Sequence, residues 1–368
     1  MLYKALGNSG VKVSAISFGA MRWPSEEAAW RIVNRGLDLG LNYLDTSTGY
    51  VGGNSEKWSA AAVRGRRGEI YFSDKGNWDL APTADAVRAA IDKSLKAAGL
   101  EYLDFYQLWG LHRQETLKAA LAKGGFVEGV RQARKEGLVR HGLGFTFHGE
   151  HELFRQAVDS GEFCCATVSY NLMNRQAEED IQYAAAKGVG VIIMNPLAGG
   201  LLGLAGDKAV DFLCQGHSGP WYGALRFLLA NAGITASIVG FTAEAEVDQA
   251  VSALEGSQSL GDDYRAGLVD QIDRARFVEG NFCTGCGYCK DCPQGFIPSA
   301  FMKAMRDFTV YGVRAEDLRH WILSQFPHQD IYADLARCCE CGQCQDKCPQ
   351  HLAIVESIRK GKDALGIK

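Results

Sequence analysis

Eight of the twelve cysteines in this 368-residue chain lie in two short runs near its C-terminus. The first run has the spacing C-x2-C-x2-C-x2-C-P, and the second has C-x2-C-x2-C-x3-C-P. The sulfurs belong to Cys283, Cys286, Cys289, Cys292, Cys338, Cys341, Cys344 and Cys348. Three thiolates at successive two-residue gaps can bind three corners of an iron–sulfur cubane, with a fourth supplied from elsewhere. The spacing therefore predicts two [4Fe–4S] clusters.

The fourth cysteine of each run raises the question of which cluster it binds. In two-cluster ferredoxins it binds the cluster of the other run. The prediction is one cluster on Cys283, Cys286, Cys289 and Cys348, and another on Cys338, Cys341, Cys344 and Cys292. The gap before Cys292 is two residues instead of the usual three. Two structural zinc sites are the alternative, although zinc usually takes separated C-x2-C pairs.

Composition and charge narrow the class of protein. A net charge of -4 gives no reason to expect a nucleic-acid partner. No stretch approaches the roughly 18 uncharged apolar residues of a membrane span, and the N-terminus lacks the apolar core of a signal peptide. We expect a cytoplasmic protein, in which clustered cysteines bind metal instead of forming disulfides. The other cysteines, Cys164, Cys165, Cys214 and Cys339, are expected to be packing residues or bystanders.

The first two thirds of the chain alternate short apolar runs with longer amphipathic segments. The runs with strand character are residues 15–19, 41–45, 69–73, 103–109, 140–146, 165–170, 189–195 and 235–240. Between them, apolar residues recur at helical spacing, as at Val87, Ile91 and Leu95. Eight β/α units over about 250 residues predict an α/β fold, a (β/α)8 TIM barrel. An open doubly wound sheet is the alternative, but the turn SFGAMRWP lacks its G-x-G-x-x-G motif.

The predicted organisation has three parts. Residues 1–255 form the barrel, and residues 256–280 form a polar loop and a linker helix. Residues 281–368 form a small, mostly helical, ferredoxin-like domain, because residues 296–335 between the cysteine runs also have helical patterns.

Three barrel segments carry a resemblance to a known family. YKALGNSGVKVSAISFGAMRW, NYLDTSTGYVGGNSE and NPLAGGLLG resemble the aldo-keto reductase superfamily. The whole chain is similar to the branch whose barrel carries a C-terminal dicluster ferredoxin-like domain. The resemblance implies a hydride-transferring barrel that binds a nicotinamide nucleotide, and the leading hypothesis is an oxidoreductase that acts on a small organic, carbohydrate-like substrate. The site is expected at the carboxyl end of the barrel.

The resemblance places Asp45, Tyr50 and Lys75 at three of the family's four catalytic positions. Free tyrosine, with a pKa of about 10, is a weak acid at neutral pH, and a nearby ammonium lowers that pKa. Tyr50 is therefore expected to protonate the substrate oxygen, while Asp45 keeps Lys75 charged. A structural salt bridge beside a tyrosine is the alternative.

The fourth catalytic position, a histidine in the family, is Trp109 here. An indole N–H can only donate a hydrogen bond, whereas a neutral imidazole can donate or accept. His112, three residues later, and His148, after the fifth strand, are candidates to replace the lost group. The remaining interpretation is that the reaction differs from ordinary carbonyl reduction.

The resemblance also implies a nucleotide site. Thr146, Asn171 and Met194 correspond to the family's nicotinamide contacts. The phosphates are expected near Leu197, Gly199, Gly200, Gly240, Phe241 and Thr242, after the seventh and eighth strands. Residues 237–255 contain no Lys or Arg to hold a 2′-phosphate. NAD is therefore favoured over NADP.

Two kinds of redox chemistry meet in this chain. Nicotinamide moves a hydride, while iron–sulfur clusters move single electrons. A flavin can join the two, although no flavin motif is visible, and a ferredoxin or other electron carrier is the expected protein partner. Two other functions stay open: a redox-neutral elimination or isomerisation with recycled NAD, and a non-catalytic nucleotide and redox sensor.

Overall fold

A computed structural model of the chain describes residues 1–203, 210–274, 283, 289, 292–299, 301–302, 305, 331–348 and 352–367. These residues divide into two compact units, Met1–Val269 and Asp270–Lys368. A hairpin of β1 (Tyr3–Ala5) and β2 (Lys12–Ser14) comes first. The barrel strands follow: β3 (Ile16–Gly19), β4 (Tyr43–Asp45), β5 (Tyr71–Asn77), β6 (Leu103–Leu111), β7 (Val139–Phe147), β8 (Cys165–Ser169), β9 (Gly190–Met194) and β10 (Ala236–Val239).

The eight strands β3 to β10 form a closed parallel barrel, which confirms the predicted fold. Strand β10 pairs with both β9 and β3, so the ring has no open edge. Strand β5 runs to Asn77, beyond the predicted run, and Lys75 therefore lies inside the strand, opposite Gln107 of β6. Because parallel strands end at the same edge, Asp45 and Lys75 meet at the carboxyl end.

Helices cover the outside of the barrel. They are α1 (Glu26–Asp38), α2 (Ser55–Ala62), α3 (Ala84–Ala98), α4 (Gln114–Leu121), α5 (Phe126–Lys135), α6 (His151–Asp159), α7 (Glu178–Ala186), α8 (Trp221–Leu229), α9 (Glu244–Ser252) and α10 (Asp262–Arg274). In α3, Thr83 accepts a hydrogen bond from Ala86 N at 3.2 Å and caps the first turn. Val87, Ile91 and Leu95 are buried as predicted, and each buried side chain of this kind contributes about 1.5–3 kcal/mol.

The N-terminal hairpin closes the amino end of the barrel, a feature that the sequence did not predict. Its apolar residues share a core with the barrel interior: Leu6, Val11, Val13, Tyr43, Phe105, Ile192 and Ala236. The fit requires glycine at Gly7, which has a φ of 53°, because a Cβ there would lie 2.2 Å from Cys164 O. The polar side chains that could do chemistry lie at the other end.

The second unit has its own small core. Its buried members include Phe296, Phe301, Met302, Met305, Leu335, Cys348, Leu352, Ile354 and Ile358. Its described helices are α11 (Ile331–Arg337), α12 (Gln343–Asp346) and α13 (Ile354–Leu365). Most of the helical pattern predicted over 296–335 lies outside the described residues. Within the described parts of the chain, no helix has the length and apolar character to cross a membrane.

Candidate active site and cluster-binding site

Lys75 lies at the centre of a buried polar group at the carboxyl end of the barrel. It is 1% exposed, forms an ion pair with Asp45, and donates a hydrogen bond to Thr46 O at 2.8 Å. Its Nζ lies 5.0 Å from the centre of the Tyr50 ring. The structure thus brings together the three side chains that the sequence singled out.

The charges of the buried pair depend on each other. Burial opposes the charge of Lys75, but the Asp45 carboxylate and Tyr50 outweigh it and raise the pKa of Lys75. Burial also raises the pKa of Asp45, against the pull of Lys75 and a hydrogen bond from Gln107. Lys75 is therefore an ammonium at neutral pH, held in a dry environment where its field is strong.

Tyr50 differs from the expectation of an acidic phenol. It is half-buried and begins a 3-10 turn after β4, Tyr50–Gly53. Burial raises the pKa of Tyr50, and the Lys75 charge lowers it by less than burial raises it. The expected net lowering was wrong because desolvation penalises the phenolate more than one ammonium favours it. Tyr50 consequently stays protonated at neutral pH, as a proton donor must.

Trp109 lies against Tyr50. The two ring centroids are 5.9 Å apart and the ring planes meet at 84°, an edge-to-face contact. The loop before Tyr50 packs onto the same indole, since a Cβ at Gly49 would lie 3.1 Å from Trp109 Cη2. Such aromatic pairs are worth about 0.5–1.5 kcal/mol beyond the buried area. The indole therefore forms a wall beside the phenol.

Gln107 belongs to the same group and was missed by the sequence analysis. It is fully buried on β6, two residues before Trp109 and thus on the same side of the strand. Its amide nitrogen donates to Asp45 Oδ2 at 2.8 Å and to Ser73 Oγ at 2.9 Å. Its amide oxygen accepts from Thr167 Oγ1 at 2.7 Å. The only sequence signal was one amide inside an apolar strand, DFYQLW.

The two histidines considered as replacements for the family's imidazole have local contacts. His112 Nδ1 lies 2.5 Å from Gly110 O, and its Nε2 accepts from Arg113 at 3.0 Å, so both ring nitrogens are engaged. His148 is buried. Burial and the nearby His112 lower the pKa of His148 to about 4, which leaves it neutral at pH 7. A catalytic role for either stays a prediction.

The predicted nicotinamide contacts are partly engaged in holding loops. Thr146 Oγ1 accepts from Gly110 N at 2.7 Å. Asn171 donates to Asn195 O at 2.9 Å, and its side-chain oxygen accepts two backbone N–H groups in the loop after β8. Met194 is half-buried at the end of β9. Of these three residues, Asn171 already uses both its side-chain oxygen and its side-chain nitrogen in hydrogen bonds that hold the loops.

Arg22 places a positive charge at the predicted phosphate corner. Its Nη2 donates to Gly199 O at 3.2 Å, after β9. Its Cδ would lie 3.1 Å from a Cβ at Gly240, after β10. Gly199 and Gly200 adopt φ values of 72° and 100°, which favour glycine. Residues 237–255 hold no Lys or Arg, but Arg22, which follows β3, brings a cation to this corner from another part of the chain.

Glu246 occupies the N-terminus of α9 at the same corner. Its carboxylate accepts from Thr242 N at 2.6 Å, Thr242 Oγ1 at 2.9 Å and Ala243 N at 3.2 Å. Those groups are the ones a phosphate would use at a helix N-terminus. Phe241 is buried against Phe18, with ring centroids 6.2 Å apart. The predicted phosphate corner therefore carries a positive charge from Arg22 on one side and a negative charge from Glu246 on the other.

Six of the cysteines in the second unit, Cys339 among them, line one cavity. Its lining includes Cys289, Cys292, Cys338, Cys341 and Cys344. Burial and the neighbouring Cys289 raise the pKa of Cys344 to about 11, so deprotonation there requires a compensating cation. Cysteine thiolates are the ligands that an iron–sulfur cluster takes, so the residue types of this lining suit one.

The remaining members of the two predicted ligand sets are placed less fully. Cys283 and Cys348 belong to the apolar core of the unit, Cys348 as a buried member and Cys283 packed against it. Cys286 lies outside the described residues. Both predicted ligand sets therefore stay predictions.

Comparison with known proteins covers both units. Residues 15–266 match the Aldo/keto reductase family, and residues 282–353 match the 4Fe-4S dicluster domain. The chain is 28% identical to L-galactose dehydrogenase of Arabidopsis thaliana over 298 residues, 71% of this chain and 90% of that protein.

Solved structures share the barrel fold. Aldo-keto reductase AKR11C1 from Bacillus halodurans, in its holo form, has a TM-score of 0.63 and 22% identity, covering 74% of this chain and 96% of that one. An aldo/keto reductase from Klebsiella pneumoniae, in complex with NADP and acetate, has a TM-score of 0.59 and 22% identity, covering 72% and 93%. At this identity, the likeness shows the fold.

Proposed function

Because the chain belongs to the aldo/keto reductase family and carries a 4Fe-4S dicluster domain, we propose that this oxidoreductase acts on a small carbohydrate-like substrate with NAD. The observation that carries the proposal is Lys75, buried between Asp45 and Tyr50 at the carboxyl end of the barrel. A relative named L-galactose dehydrogenase supports a polyhydroxy substrate class.

The proposed chemistry is a proton transfer by Tyr50 coupled to a hydride transfer. When bound, a nicotinamide nucleotide would supply the hydride for the carbonyl carbon of the substrate. Tyr50 gives its proton to the carbonyl oxygen, so the product is an alcohol, and oxidation is the reverse. Lys75 stabilises the phenolate that remains, and Asp45 keeps Lys75 charged. Trp109 can donate a hydrogen bond to the substrate oxygen but cannot accept its proton.

The wild-type protein tests this function directly. Purified without oxygen, it should bind NAD in a calorimetric titration and reduce NAD when supplied with aldoses such as L-galactose. Extraction of bound small molecules from the same preparation distinguishes NAD from a flavin that would join hydride and one-electron chemistry. If the protein bound no dinucleotide, the proposed hydride transfer would be refuted.

The choice of NAD over NADP is supported by Glu246. Its carboxylate holds the backbone amides that could bind a 2′-phosphate and repels that group. Arg22 is suited to the pyrophosphate that both nucleotides share.

We expect Glu246→Lys to improve NADP binding relative to NAD by about tenfold or more, equivalent to about 1.4 kcal/mol. The change frees the amides at Thr242 and Ala243 and adds a cation. Glu244→Lys is the matched control, because Glu244 lies on the same helix and pairs with Arg31 at 3.3 Å. Titration of each variant with both nucleotides measures the ratio. Tighter binding of NADP by the wild type would contradict the assignment.

For the second unit we propose two [4Fe–4S] clusters that exchange single electrons with a ferredoxin or other carrier. One is assigned to Cys283, Cys286, Cys289 and Cys348, and the other to Cys338, Cys341, Cys344 and Cys292. The cavity lining brings Cys292 to the second run but also contains Cys289, so the exchange of fourth ligands is part of the proposal. A reducing compartment such as the cytoplasm suits these thiolates.

A further inference from the structure

The C-terminal helix α13 contacts the loop of the second cysteine run through two cationic side chains. Lys362 Nζ donates a hydrogen bond to Cys338 O at 3.0 Å. Arg359 Nε donates to Glu340 Oε2 at 2.7 Å, so the charge of that arginine is offset by a carboxylate. Among the described residues, no carboxylate pairs with Lys362. Within the described residues, its positive charge therefore lies at the cysteine loop without a paired carboxylate.

Helix packing fixes the position of that charge. Gly361 lets α13 approach the core closely, because a Cβ there would lie 2.2 Å from the Phe301 ring. Ile354 and Ile358 are buried on the same helix. Lys362 itself is half-buried, so water screens its ammonium less than it would screen an exposed one.

We propose that Lys362 raises the reduction potential of the cluster bound by the second cysteine run. Reduction adds one electron, hence one negative charge, and a nearby fixed cation stabilises the reduced form. The inference rests on the proposed assignment of Cys338 as a ligand. If Lys362 had only a structural role, it would bind the carbonyl of Cys338 after α11 and hold the loop, and the reduction potential of the cluster would not depend on it.

The same helix offers a matched control. Lys360 pairs with Glu356 at 2.7 Å, and its side chain is 64% exposed. Lys360→Gln and Lys362→Gln remove the same charge from the same helix, but only the second removes it from beside a cysteine of the run. A difference between them therefore reports position and not net charge.

The test begins with iron and sulfide content, followed by potentiometric titration of the anaerobic full-length protein with dithionite, monitored by EPR. Lys362→Gln should hold its iron and shift one of two midpoint potentials to a more negative value. The other midpoint, and both midpoints in Lys360→Gln, should match the wild type. Unchanged midpoints in a fully loaded Lys362→Gln would overturn the proposal.

A second variant covers the case in which glutamine does not support the loop. In Lys362→His the side chain is charged at pH 6 and neutral at pH 8. One midpoint should then be more negative at pH 8 than at pH 6, beyond the change seen in the wild type. Iron loss in both variants would show a structural role and overturn the proposal. Absence of iron from the wild type would remove the cluster assignment itself, a distinguishable result.

Discussion

Lys75→Met is expected to lower the free energy of unfolding of the barrel by about 3–5 kcal/mol, the usual range for removing one partner of a buried ion pair. Asp45 is 2% exposed, so without Lys75 it must either remain an unpaired carboxylate in a dry site or take up a proton, and both cost folding free energy at neutral pH. The hydrogen bond from Gln107 remains, but one neutral amide cannot replace an ammonium. The unfolding transition of the barrel, followed by calorimetry without oxygen, measures this loss of stability. The proposed hydride transfer should also be abolished.

The double variant Lys75→Met/Asp45→Asn separates stability from chemistry. It removes both charges, and the Asn oxygen can still accept from Gln107, so most of the lost stability should return. Activity should not return, because no ammonium remains beside Tyr50 to stabilise its phenolate. A single variant as stable as the wild type would show that the ion pair contributes nothing, and an active double variant would refute the role of Lys75.

The pH dependence of the single variant has a definite sign. Without Lys75, burial raises the folded-state pKa of Asp45 further above its unfolded value. An acid whose pKa is raised on folding destabilises the folded state at pH values above its unfolded pKa and not below. The stability deficit of Lys75→Met should therefore be larger at pH 8 than at pH 5.

The fold could be predicted from the sequence because its signals are local. Each barrel strand is a short apolar run followed by a helix with one apolar face, and the motif around Asp45 and Tyr50 lies within six residues. The hairpin gave no such signal. Its strands, YKA and KVS, are three residues long and mix charged with apolar side chains, so their pairing depends on the barrel end that they cover.

The missed members of the site depend on contacts between distant parts of the chain. Arg22 and Gly199 are 177 residues apart, and only barrel closure brings them together. Gln107 reaches Asp45 across 62 positions. The predicted direction of the Tyr50 pKa shift was wrong for the same reason. The motif predicts a nearby Lys75, but the burial that outweighs the effect of Lys75 comes from packing around the phenol.

Two double variants decide whether the clusters exchange their fourth ligands. The wild type should hold about eight iron atoms in two [4Fe–4S] clusters, and Cys292→Ala should leave about four. With exchange, Cys292→Ala/Cys341→Ala removes two ligands of one cluster and still holds about four. Cys292→Ala/Cys289→Ala then removes one ligand from each cluster, and the iron content should fall close to zero. Alanine is used because serine could supply an oxygen ligand.

The opposite pattern would show that each run keeps its own fourth cysteine. Cys292→Ala/Cys289→Ala would then hold about four iron atoms, and Cys292→Ala/Cys341→Ala would hold almost none. The cavity lining contains all three of these sulfurs and is therefore compatible with both arrangements. Cys339→Ala is the control, since Cys339 lines the same cavity but interrupts the ligand spacing. Its iron content should equal that of the wild type, which would show that loss of iron follows loss of a ligand and not loss of any cysteine near the site.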